Sequence, residues 1–255
     1  MIMRIRDGSK IGSNPSLSEQ DSPLITIITV VFNGEDHLEK TIMSVLNQNH
    51  NIEYIIIDGG SLDKTVGIIK KFNNEIAYWI TEPDEGIYDA MNKGWRAASK
   101  NGFILFLGAG DRLISLPDEN KLIHKNKVLF GKVYKGEDYP VKVAADFRLK
   151  LGNTLHHQAL LIPKQLHPDP PFKTKFKTYA DFDFNQRLLK QGVPFEYCDE
   201  FACYAAPGGV SKYFKIREML MIVKTNFGYF WFFLAFLYYI YQGLRHGFGK
   251  FSLAS

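Results

Sequence analysis

The sequence predicts an α/β fold, a doubly wound and mostly parallel central sheet followed by an elaboration and an aromatic C-terminal helix. Three observations point there. Residues 24–31, LITIITVV, form an unbroken apolar and β-branched run, the pattern of a strand buried on both faces. Further short apolar runs follow at 52–58, 77–81 and 103–108, alternating with helical stripes or turn signals. Polar residues gather where those runs end.

The first 22 residues are polar and Ser-rich and lack the apolar stretch of a signal peptide, so they read as a loose arm. After the first strand, Asn33-Gly34 signals a turn, and Leu38, Ile42, Val45 and Leu46 share one helical stripe. The second strand, IEYIIID, ends at Asp58, and Asp63 is placed to cap a helix running to about Phe72. The third strand, AYWIT, precedes a loop and a helix from Ile87 to Ser99. The fourth, FILFLG, runs through Ala109 and Gly110 to Asp111. Beyond it, 127–134, 140–145 and 157–162 read as antiparallel strands, and 181–192 as a helix closed by Gly192.

With 255 residues, 45% hydrophobic and 23% charged, the chain suits one large globular domain with appendages. A formal charge of +4 is too small to argue for nucleic acid but suits a phosphorylated substrate or anionic lipid. Cys198 and Cys203 have no metal spacing and read as unpaired core thiols of a reducing cytoplasm. Residues 225–244 carry no charge and are crowded with Phe, Tyr and Trp, residues that favour the membrane interface over its centre. With Lys212, Lys215, Arg217 and Lys224 just before, the run reads as an interfacial helix on an anionic surface. A buried helix and a membrane span are its alternatives.

In open parallel sheets ligands bind beyond the carboxyl ends of the strands, where Asn33, Asp58, Glu82, Asp84 and Asp111 collect here. No Walker loop and no G-x-G-x-x-G follows the first strand, which disfavours phosphate-loop and dinucleotide classes. A metal-held nucleotide needs only one or two acids, because Mg²⁺ or Mn²⁺ takes its other ligands from phosphate and water.

Four stretches, ITVVFNGEDHLEKTIMSVLNQ, IIIDGGSLDKT, TEPDEGIYDAMNKGW and FLGAGD, in this order and spacing, resemble the family-two inverting glycosyltransferases of the GT-A fold. The bacterial surface-polysaccharide branch is the most similar. The likeness is close over 23–112 and looser to 207. It implies a glycosyltransferase domain over 23–210, and the aromatic run makes 211–255 a membrane-associating or packing helical segment. It places Thr29, Asn33, Asp58, Asp84 and Gly86 at the nucleotide, and Asn92, Lys93, Gly110, His157 and Gln158 at sugar or phosphate. Asp111 matches the last acid of the family's D-x-D, the ligand of Mg or Mn. Where relatives carry further acids this chain has Gly108, Ala109 and Gly110, so the ion is expected to be weakly held or dispensable. For the base that takes the acceptor proton, the family's position falls on Asp181, with Asp183 as the alternative; two residues apart on a helix, they do not share a face.

The expected function is therefore inverting transfer from a nucleotide-diphosphate sugar to a glycan or lipid-linked glycan, in the cytoplasm, peripheral on the inner face of the cell membrane. A nucleotidyltransferase, or a sugar-nucleotide-binding protein with impaired catalysis, is the alternative.

Overall fold

The computed structural model describes residues 24–136, 139–207 and 215–246; the N-terminal arm and Lys212 lie outside the described residues. Strands β1 (Ile25–Val31), β2 (Ile52–Asp58), β3 (Tyr78–Thr81) and β4 (Phe103–Gly108) run parallel in the order β3-β2-β1-β4. Their register sets Val31 beside Asp58 and Asp58 beside Thr81, which brings the polar strand ends to one edge. Every residue of β1 is buried, because both faces are covered. Ile25 and Ile27 meet Leu38 and Ile42 of α1 (Leu38–Leu46) and Ile69 of α2 (Thr65–Lys71). On the other face Ile28 and Val30 meet Met91 and Trp95 of α3 (Ile87–Ala97). Helix α2 starts two residues after Asp63, whose carboxylate still accepts from the Thr65 amide at 3.0 Å.

The sheet continues from β4 through β8 (Leu160–Pro163), β6 (Val128–Tyr134) and β9 (Phe195–Tyr204) to β5 (Arg112–Ser115), with β7 (Pro140–Val141) beside β6. This half departs from the expected antiparallel set. Strand β6 pairs in parallel with β9, and the expected strand at 140–145 shrinks to the two residues of β7. His157 and Gln158 lie in a 3-10 turn before β8 rather than on a strand. Both cysteines are buried and unpaired in β9.

Helix α4 (Ala180–Lys190) packs against α5 (Ile216–Phe227). The C-terminal run is two helices rather than one, because Gly228, at φ +85°, turns the chain into α6 (Tyr229–His246). Met219, Ile222 and Val223 of α5 and Ala235 and Tyr239 of α6 join the same core as Phe182 and Phe184 of α4. Among the described residues, no helix is long and apolar enough to cross a membrane.

Candidate active site

The two loops leaving β1 and β2 are laced together. The Asn33 amide donates to Ser61 Oγ at 2.7 Å, and Asn33 Oδ1 accepts from the Leu62 amide at 3.0 Å. This cross-link holds Asn33 in the left-handed region, at φ 49°, where asparagine is among the tolerated residues. Beside it Phe32 is 63% exposed, an apolar ring with no covering side, at the end of a buried strand. Asp84 reaches into the same crevice, donated to by the Gly86 amide at 2.8 Å, and a Cβ on Gly59 would collide with its carboxylate. Asn33 thus stands on the loop leaving β1, and Asp84 and Gly86 on the loop leaving β3.

Two other nucleotide candidates sit elsewhere. Thr29 is fully buried inside the sheet, its hydroxyl 3.0 Å from the Tyr54 hydroxyl, and no ligand reaches it. Asp58 is also fully buried; its carboxylate accepts from Ser61 and Thr81, so it shapes the 59–61 turn instead of facing the crevice. Of the sugar or phosphate candidates, Asn92 is 2% exposed and spends its amide on both backbone groups of Phe172, at 2.9 and 3.0 Å. Lys93 is tied to the 82–83 loop by the Pro83 carbonyl at 2.8 Å and Glu82 at 3.1 Å, with Asp89 at 3.5 Å. Polar residues inside a strand or helix read alike from sequence whether they bond the core or a ligand.

Asp111 sits in a backbone cradle. The Gly108 amide donates to Oδ2 at 2.7 Å and the Ala206 amide to Oδ1 at 2.9 Å. Gly110, at φ +104°, donates to the Thr41 hydroxyl at 2.8 Å, which fixes the turn from β4 to β5. Each Asp111 oxygen keeps one lone pair, yet no three His, Cys, Asp or Glu side chains converge among the described residues. The donor set thus fits a divalent ion only as a single oriented carboxylate, with the remaining ligands from diphosphate and water.

The base candidates separate cleanly. Asp181, 8% exposed, accepts from the Tyr88 hydroxyl at 2.9 Å and from Asn153 Nδ2 at 3.3 Å, and His157 Nδ1 lies 3.5 Å from its Oδ2. Burial pushes its pKa up, but His157 and Tyr88 outweigh that and hold it below the usual carboxylate range. Burial and the Asp181 charge push the Tyr88 hydroxyl well above its ordinary value, so it stays a donor. Asp183 faces the opposite way. It is fully buried against Arg187 at 2.8 Å, Lys173 at 3.2 Å and Asn226 of α5 at 3.2 Å. Arg187 also donates to the Pro171 carbonyl, which makes it part of the scaffold rather than a phosphate ligand.

Lys135, exposed at the end of β6, follows Tyr134, whose carbonyl accepts from Ala205 at 2.9 Å, next to the Ala206 amide that grips Asp111. Partial burial of its ammonium lowers its pKa, and the charges of Asp181 and Asp111 pull the other way. Phe32, Tyr88, Lys135 and Asn153 were not singled out from sequence; the approach of Tyr88 to Asp181 spans 93 residues and has no local pattern. Gln158 is half-buried in the turn after His157.

Two histidines make the fold sensitive to acid. Burial, helped by the Lys135 charge, pushes His156 down to about 4, and burial pushes His167 down to about 3. Unfolded, both protonate near 6.5, so the folded chain binds fewer protons and loses stability as pH falls from 6.5 towards 4. Asp181 adds its own loss only below the ordinary 3.8. The melting temperature is expected to fall across that window, and His167→Gln to flatten the fall.

Residues 26–113 match the model of Glycosyl transferase family 2. An uncharacterized glycosyltransferase of Mycobacterium tuberculosis is 43% identical over 99 residues, 38% of this chain and 37% of that protein. A PGL/p-HBAD biosynthesis glycosyltransferase of Mycobacterium bovis is 26% identical over 208 residues, 76% of this chain and 75% of its own length. The chain thus spans just over a third of the first of these relatives. Among solved structures, TarS of S. aureus superposes with a TM-score of 0.64 at 17% identity, over 90% of this chain and 46% of that one. A mannosyltransferase of Pyrobaculum calidifontis, solved with GDP-Man and Mn²⁺, gives 0.58 at 14% identity, over 89% and 76%. These likenesses establish the fold.

Proposed function

We propose that the chain, whose residues 26–113 match Glycosyl transferase family 2 and whose fold is the GT-A fold of TarS, moves a sugar from a nucleotide-diphosphate sugar to an acceptor hydroxyl with inversion. One observation carries this reading. Asp181 is a buried yet ionised carboxylate, oriented by Tyr88, His157 and Asn153.

The acceptor oxygen attacks the anomeric carbon as the bond from that carbon to the diphosphate oxygen breaks. Asp181 takes the hydroxyl proton, and the electron pair leaves with the diphosphate. Tyr88 and Asn153 keep the carboxylate turned towards the acceptor, so no reorientation is needed at the moment of transfer. Phe32, Asn33 and Asp84 bind the nucleoside, with the Phe32 ring as the stacking surface. Lys135 offers positive charge to the diphosphate. A divalent ion held by Asp111 would supply further charge to the leaving group.

The acceptor is a glycan or lipid-linked glycan, reached from the cytoplasmic side with the chain peripheral on the inner face of the cell membrane. The aromatic α6 supports this, as does a relative named for PGL/p-HBAD biosynthesis. A thermal-shift screen of the full chain with UDP-, GDP- and dTDP-sugars, with and without Mn²⁺, tests the reading. At least one donor is expected to raise the melting temperature, in line with about 2.7 kcal/mol at a hundredfold excess over Kd. No stabilisation by any donor, and no release of nucleoside diphosphate, overturns it.

A further inference from the structure

Helix α6 has two unlike sides. Ala235 and Tyr239 are buried against the core, while Phe230, Phe233, Leu237 and Leu244, three, four and seven residues apart, form an outer stripe 47–70% exposed. No acidic residue lies on α6. The cations beside it pair with rings instead of carboxylates: Lys224 Nζ is 4.4 Å from the Tyr229 ring centre and Lys150 Nζ 4.6 Å from that of Trp231. Neither makes an ion pair among the described residues, so their charge is open to an external anion.

A second element lies along the flank of α6. The 3-10 turn Phe147–Lys150 sets Lys150 over Trp231, pairs Arg148 with Asp146 at 2.7 Å and leaves Phe147 63% exposed. Gly152 follows, so close to α6 that a Cβ there would stand 2.6 Å from the Tyr239 hydroxyl. Next comes Asn153, which donates to Asp181. One short segment therefore joins an exposed aromatic, the flank of α6 and the carboxylate assigned as base.

We propose that the outer stripe of α6 and Phe147 form a single docking face for an anionic lipid bilayer, with α6 lying in the plane of the headgroups. The composition fits that depth, since aromatic side chains and flanking cations are stable at the interface and the helix does not cross. Charge selects the occupant. A second copy of the chain would bring Lys150 and Lys224 against their own kind, whereas lipid phosphates neutralise them. The face deepens the peripheral membrane placement proposed above and rests on it; the docked pose would hold Asp181 at the height of a lipid-linked acceptor, a consequence that rests on the proposed transfer as well.

Co-sedimentation of the full chain with phosphatidylcholine vesicles, with and without phosphatidylglycerol, tests the face without any turnover. Binding is expected to the mixed vesicles and to weaken in high salt. Phe233→Ser with Leu237→Ser, and separately Phe147→Ser, are each expected to lower the partition coefficient by about tenfold or more at an unchanged melting temperature. Three results overturn the proposal: no binding to mixed vesicles, full binding by Phe147→Ser, or a dimer in light scattering that the α6 substitutions dissociate. Failure of sugar transfer alone leaves the vesicle result intact, so the two readings are separable.

Discussion

Asp181→Asn is expected to lower the kcat of sugar transfer by about 10²- to 10⁴-fold, the usual worth of a positioned general base. The amide keeps the shape of the carboxylate and still accepts from the Tyr88 hydroxyl, which also donates to the Thr178 carbonyl at 2.7 Å. What it cannot do is take a proton. The proposed donor site lies on the loops after β1, β2 and β3, so binding of UDP or GDP should be unaffected, and the loss should fall on kcat rather than on donor KM. Steady-state kinetics beside a nucleotide titration checks both halves. A variant that keeps wild-type kcat would move the base elsewhere.

Asp183→Ala should do the opposite. Its carboxylate is fully buried and satisfies Arg187, Lys173 and Asn226. Removing it strands the guanidinium and frees the joint between α4 and α5, a change that costs about 3–5 kcal/mol. For a chain of this size that lowers the melting temperature by roughly 6–20 °C. Asp183→Asn, which retains a hydrogen-bond acceptor, should lose less. Denaturant unfolding measures the cost, and kcat per folded molecule should stay near wild type. The two acids stand two residues apart and differ in surroundings because one side of α4 faces Tyr88, Asn153 and His157 and the other faces Asn226 of α5.

That difference marks where the sequence is legible and where it is not. Strands β1, β2 and β4 declare themselves because burial on both faces leaves no polar position, a local property. Strand β5, Arg-Leu-Ile-Ser, does not, since half of it faces solvent and its partner β9 lies some 90 residues on. The parallel β6–β9 pairing is non-local for the same reason. Among the candidate site residues, Asn33, Asp84 and Asp111 are picked out by their places at strand ends, and Gly86 only by the family likeness. Thr29 and Asn92 mislead, because a hydroxyl or amide bonded within the core has the same letter as one bonded to a ligand. Only the fold shows that Tyr54 and Phe172 already hold them. Position in the motif favours Asp181 over Asp183, and only the fold shows Tyr88, Asn153 and His157 gathered around Asp181.

The geometry of the product tests the central claim most directly. With the donor chosen by thermal shift and a glycan acceptor from membrane extract, proton NMR of the anomeric signal reads the configuration of the new linkage. A base at Asp181 acting opposite the leaving diphosphate predicts a product inverted relative to the donor, with nucleoside diphosphate released in equal amount and the reaction abolished in Asp181→Asn. A product of retained configuration, or one formed undiminished by Asp181→Asn, would contradict it.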